Sequence, residues 1–179
     1  MLCNVVRTVT PVVIFVIMGA QLLFGQQVVD NWKITPNADG RSAVMIFENP
    51  STYLKIESDL EIAVDAAGTA TRGTIHFTNG FQRAMTPQEV AYYLFNFDGD
   101  NAYWDFREKQ GSIVSFASGS DPIPQDIVGK QVRAISEAGK FYIGILSLVP
   151  NSPDHFSLNI RNNQVVFFRN AVKEIQRLK

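Results

Sequence analysis

The most suggestive grouping for chemistry is Asn96-Phe97-Asp98-Gly99-Asp100-Asn101, followed by Asp105 and Glu108. Oxygens at alternate positions can wrap a hard cation such as calcium, which makes Asp98, Asp100 and Asp105 candidate metal ligands. The EF-hand count fails. Counted from Asn96, position six is Asn101 rather than glycine, and position twelve is Arg107 rather than glutamate. Asp-Gly and Asp-Asn pairs also make turns, and that reading outweighs the metal. A second grouping is the polar set Glu57, Asp59, Glu61, Asp65 and His76, which could offer acid–base pairs to a sugar. Lys55 and Arg72 interleave with it, so a solvated, charge-balanced sheet face is the simpler reading. Third, Tyr92, Tyr93, Phe95, Phe97, Tyr103, Trp104 and Phe106 crowd into fifteen positions. Tyr93, Phe97, Tyr103 and Trp104 are the candidate residues for an aromatic ligand pocket, with a plain hydrophobic core as the stronger competitor.

Other chemistries are excluded by what is missing. Cys3 is the only cysteine, and it leaves with the opening segment if that segment is removed, so thiol nucleophiles and cysteine metal sites are not expected. His76 and His155 are the only histidines, which removes zinc hydrolases of the H-E-x-x-H type. Gly129-Lys130 lacks the rest of a phosphate loop, and neither a G-x-S-x-G elbow nor an S-x-x-K motif occurs. Ser152-Pro153-Asp154-His155 places serine, acid and histidine side by side, but catalytic triads converge from separate segments. No cofactor is called for.

The opening residues read as an export signal. Arg7 precedes an uncharged run from Val9 to Phe24, which exits through Gly25-Gln26. The run is shorter than the ~20 apolar residues of a membrane span, and Thr10, Pro11 and Gln21 interrupt it. Cys3 lies ahead of the run rather than at its exit, where a lipid-anchored chain would carry it. Residues 1–25 are therefore expected to be a signal peptide and 26–179 a single domain, exported to a periplasm or the outside, with no stable membrane span after cleavage. Without Arg7, 15 basic residues stand against 17 acidic ones, a net charge of −2. That weakly acidic balance argues against nucleic acid as a partner.

Periodicity gives the scaffold. From Leu54 to Asp65 apolar and polar residues alternate, as in a half-buried strand. A turn over Ala66–Thr71 and a strand over Arg72–Thr78 complete a hairpin with Val64 opposite Gly73, Ile62 opposite Ile75 and Leu60 opposite Phe77. The same register sets Asp65 beside Arg72 and Glu61 beside His76. Thr86-Pro87-Gln88-Glu89 starts a helix with a capping box and a proline at its first position, and Val90, Tyr93, Leu94 and Phe97 follow on one face. The helix is expected to stop at Asp98-Gly99-Asp100-Asn101. Tyr103–Phe106 and Ser112–Ala117 then read as a hairpin around Gln110-Gly111. A second helix is predicted over Gln125–Ala138, a doubly covered central strand over Phe141–Val149, and a hairpin of His155–Arg161 and Gln164–Phe168 around Asn162-Asn163. The tail Asn170–Lys179 reads as an amphipathic helix through Val172, Ile175 and Leu178. The sum is an α+β fold, mainly one antiparallel sheet with two or three helices packed on it.

Two functions fit that inventory. One is an exported, non-catalytic module binding a small apolar ligand or a protein partner through the aromatic region. The alternative is a carboxylate-dependent hydrolase acting outside the cytoplasm, using Asp98, Asp100 and Asp105, or Glu61 with His76. The shortage of catalytic residue types favours the binding module.

Overall fold

The computed structural model describes residues 26–48, 58–117, 119 and 121–179. The expected signal segment and Leu54–Glu57 lie outside them. Among the described residues the chain is dominated by two antiparallel sheets of six strands, with two helices. The expectation of mainly antiparallel sheet holds, but the single sheet does not.

The first sheet is a meander of β1 (Gln27–Val29), β2 (Trp32–Pro36), β3 (Ala43–Phe47), β4 (Ser58–Val64), β5 (Ala70–Phe77) and β6 (Gln82–Ala84). The β4–β5 hairpin forms, but two residues out of the expected register: Leu60 faces Ile75, Ile62 faces Gly73 and Asp59 faces His76. Asp65 causes the slip. Its carboxylate accepts from the Ala67 and Thr69 amides at 2.9 Å, and Gly68 supplies the left-handed φ of +84°. The turn therefore closes early and β5 starts at Ala70. A slip of two keeps every side chain on its face, so Leu60, Ile62, Val64 and Ile75 are still buried. Asp65 does not sit beside Arg72, whose partner is Ala63. Glu61 and His76 are diagonal neighbours at 3.4 Å rather than directly opposed.

Helix α1 (Pro87–Asn96) begins as its sequence dictates: Thr86 Oγ1 accepts from the Glu89 amide, and the Glu89 carboxylate accepts from the Thr86 amide. Arg83 grips the same carboxylate through two bonds of 2.7 and 3.0 Å. The Arg83 hydrogen bond, then the Thr86 amide, hold the Glu89 pKa down to about 2. A carboxylate depressed on folding contributes stability above its unfolded pKa, and that contribution is lost as pH falls through about 2. The cap is thus expected to persist to about pH 2 in an NMR titration of the Glu89 carboxyl, and Arg83→Gln should raise that midpoint. An unchanged midpoint would refute the assignment.

The residues read as a turn and a strand form a second helix, α2 (Gly99–Lys109), after a break at Asp98 with φ +52°. Gly99, Ala102, Tyr103, Phe106 and Arg107 are buried at helical spacing. Strand β7 (Ile113–Ala117) follows as expected. Where a helix was predicted over Gln125–Ala138 there is one 3-10 turn (Gln125–Ile127), a left-handed Gly129 and strand β8 (Gln131–Ser136). Strands β9 (Phe141–Leu148), β10 (His155–Ile160) and β11 (Asn163–Phe168) come next. The β10–β11 turn uses Arg161 and Asn162, with φ of +53° and +64°, one residue earlier than read. The tail is not a helix but strand β12 (Val172–Leu178), which inserts between β7 and β8 in the order β11-β10-β9-β8-β12-β7. β9 is interior but not covered on both faces, since Phe141, Ile145 and Leu148 are exposed.

Two hydrophobic clusters result. One joins the first sheet to both helices, and the other lies on the second sheet under Ile127. Ile113, Ile143 and Leu178 of the second sheet pack against the first cluster. Among the described residues no helix is long and apolar enough to cross a membrane.

Candidate ligand cleft

The helices lie beside one face of the second sheet without filling it. A cleft of about 440 Å3 remains, with Leu94, Phe95 and Asp100 on the helical side and Phe141, Ile143 and Ile145 on the sheet side. A second hollow of about 360 Å3, walled by β5 and α1, shares Thr69, Leu94, Asp100, Gln131 and Arg161 with it. The two meet at those residues.

Arg161 controls the junction. Its turn position aims the side chain back at the helices, where the guanidinium lies 3.6 Å from the Phe95 ring centroid and 3.6 Å from an Asp100 oxygen. Asp100 keeps 32% of its side-chain surface and Arg161 31%. The protein around Asp100 still makes desolvation the largest influence, raising its pKa, while the Arg161 charge and hydrogen bond pull it down and Asp98 adds to the rise. Burial likewise lowers the Arg161 pKa, against the pull of Asp100. The buried amide oxygen of Asn101, also in the cleft wall, has no hydrogen-bond partner.

The aromatic candidates are distributed differently from a pocket. Phe97, Tyr103 and Trp104 are buried in the first core, and Tyr93 is half-buried with its ring stacked on Phe97. The Tyr103 hydroxyl is 2.6 Å from the Arg41 carbonyl and accepts from Arg107 at 3.0 Å, which makes it a brace for two loops. Phe95, on the face of α1 opposite Tyr93, reaches the cleft instead. The three aspartates part company too. Asp98 occupies the left-handed break, Asp100 pairs with Arg161, and Asp105 pairs with Arg133. Among the described residues no three His, Cys, Asp or Glu side chains stand together to hold a metal ion. Glu61 and His76 remain on the first sheet, and Ser152 and His155 border a separate hollow of about 410 Å3.

Of the cleft residues, the sequence analysis singles out Asp98, Asp100 and Asn101, and Phe95 among the aromatics. It misses Arg161, Gln131, Phe141 and Ile145. Arg161 carries no local signal, because the sequence reads it as the last strand residue before an Asn162-Asn163 turn. Compared with family models, curated proteins and solved structures, the chain matches none of them.

Proposed function

We propose that the chain is a non-catalytic binding module, working outside the cytoplasm, that takes a small ligand with an apolar body into the cleft between the helix pair and the second sheet. The observation that carries this reading is the cleft itself: about 440 Å3, with Phe95, Phe141, Ile143 and Ile145 among its walls and polar side chains such as Asp98, Asp100, Gln131, Asn159 and Arg161 lining the rest. Apolar and aromatic walls beside polar groups that can fix orientation are features of a small-molecule site. Export rests on the apolar run from Val9 to Phe24.

Native mass spectrometry on protein recovered from its exported compartment tests the reading, with an anilinonaphthalene sulfonate dye as a second probe. Wild type is expected to carry a small-molecule mass or to bind the dye. Ile145→Trp, which fills the cleft from a partly exposed position, should weaken dye binding at least ten-fold with an unchanged Tm. Equal binding by both proteins would refute the cleft. The raised pKa of Asp100 favours a second reading, a hydrolase with Asp100 as general acid. The same spectra separate the two, because a binding module returns its ligand intact and a hydrolase returns fragments.

A further inference from the structure

The wall shared by the two hollows carries both signs of charge in an ordered arrangement. Asp98 and Asp100 line the larger cleft, and Arg72 lines the smaller hollow. Asp100 and Arg161 border both. We propose that the ligand of this cleft is a zwitterion, a free α-amino acid with an apolar side chain, its ammonium toward Asp98 and Asp100 and its carboxylate on Arg161. This rests on the binding-module reading and gives it a ligand class.

Three features point the same way. An ammonium donates and cannot accept, which matches the two carboxylates that line the cleft. A carboxylate accepts two parallel bonds from a guanidinium, which Arg161 can present. The Asp100–Arg161 contact, at 3.6 Å, is longer than the ~2.7–2.9 Å of a charge-assisted hydrogen bond, and both partners keep surface. The pair can therefore exchange each other for a ligand's two charges without leaving either alone. A simple acid would leave Asp100 to water and a simple amine would leave Arg161 to water, so each one-charge ligand forgoes one of the two contacts. Phe95, Phe141, Ile143 and Ile145 supply an apolar wall for the side chain.

The test is calorimetric titration of the exported protein with L-phenylalanine and L-leucine, against 3-phenylpropanoate and 2-phenylethylamine. At least one amino acid is expected to bind ten-fold tighter than both one-charge analogues. Asp100→Asn should weaken the amino acid while sparing 3-phenylpropanoate, and Arg161→Gln should weaken it while sparing the amine. If an analogue matches both amino acids, or none of the four binds while the dye still responds to Ile145→Trp, the zwitterion is wrong and the cleft stands. If the dye is also indifferent to Ile145→Trp, the binding-module reading itself falls. The ligand series on wild-type protein decides the matter even if a variant fails to fold.

Discussion

Trp32→Ala is expected to remove about 3–5 kcal/mol of unfolding free energy, read as a lower denaturant midpoint with an unchanged slope. Trp32 is 0% exposed, and its ring meets Phe47 edge-on at 5.3 Å. The indole N–H donates to the Phe97 carbonyl at 2.8 Å, where α1 ends and a backbone acceptor would otherwise be left open. Packing there is so close that a Cβ on Gly99 would come within 2.9 Å of the indole and 2.6 Å of Leu94. Such a tightly enclosed site has little freedom to collapse around a deleted ring, which puts the cost in the upper part of the usual range for large-to-small changes. Trp32→Phe keeps an aromatic ring and loses the hydrogen bond, so its cost should be clearly smaller. Equal costs would mean that the ring's volume contributes little.

Arg133→Ala is expected to cost about 3 kcal/mol, at the lower end for breaking a buried ion pair. The Arg133 side chain is 1% exposed, yet it leaves β8 to meet the helical layer: Asp105 at 2.5 Å and Glu108 at 2.7 Å, both on α2. Its Nε donates to Gln176 of β12 at 2.7 Å, and Trp104 and Phe141 lie within 5.6 and 5.0 Å of the guanidinium. Asp105 and Glu108 keep 30% and 53% of their surface, so water can take up much of the charge released. That exposure, rather than the strength of the bonds, sets the figure at the lower end. The double variant Asp105→Asn with Glu108→Gln should then cost more than its solvent-facing partners suggest, because it strands the buried guanidinium. Chemical denaturation of the three proteins checks the ordering, and a stable double variant would refute it.

Both arguments concern residues whose importance the sequence half concealed. Helix α1 was legible because Thr86, Pro87 and Glu89 are local signals that need no distant partner. The alternation through β4 was legible for the same reason, although the Asp65 turn shifted its partner by two residues. Helix α2 was hidden by Asp98 and Gly99, which read as a stop. The buried Arg107 also disguised the fifth residue of an otherwise regular apolar face. In β8, Val132 and Ile135 fall on opposite faces, while the buried Arg133 broke the period-two pattern that would have identified a strand. The tail misled most. A register shift between Val172 and Glu174 lets Val172 and Ile175 face the same core three residues apart, which imitates helical spacing. The cleft was only half visible, because Asp100 and Arg161 lie 61 residues apart and meet only through the packing of two layers.

The position of β12 also sets an order of events. Strand β7 pairs with β12 and with no other described strand, so its edge stays open until some sixty further residues have been made and brought back. Each strand of the first sheet instead pairs with its neighbour in the chain, and every closure after the β3–β4 connection is short. Long-range closure carries a larger entropy cost before any contact rewards it. The first sheet can therefore assemble while the chain is still emerging, and so can β8 to β11, which also pair in chain order, whereas β7 must wait for β12 to arrive. The cleft wall on β9 and β10 thus belongs to a meander that can form before β12 and β7 complete the sheet.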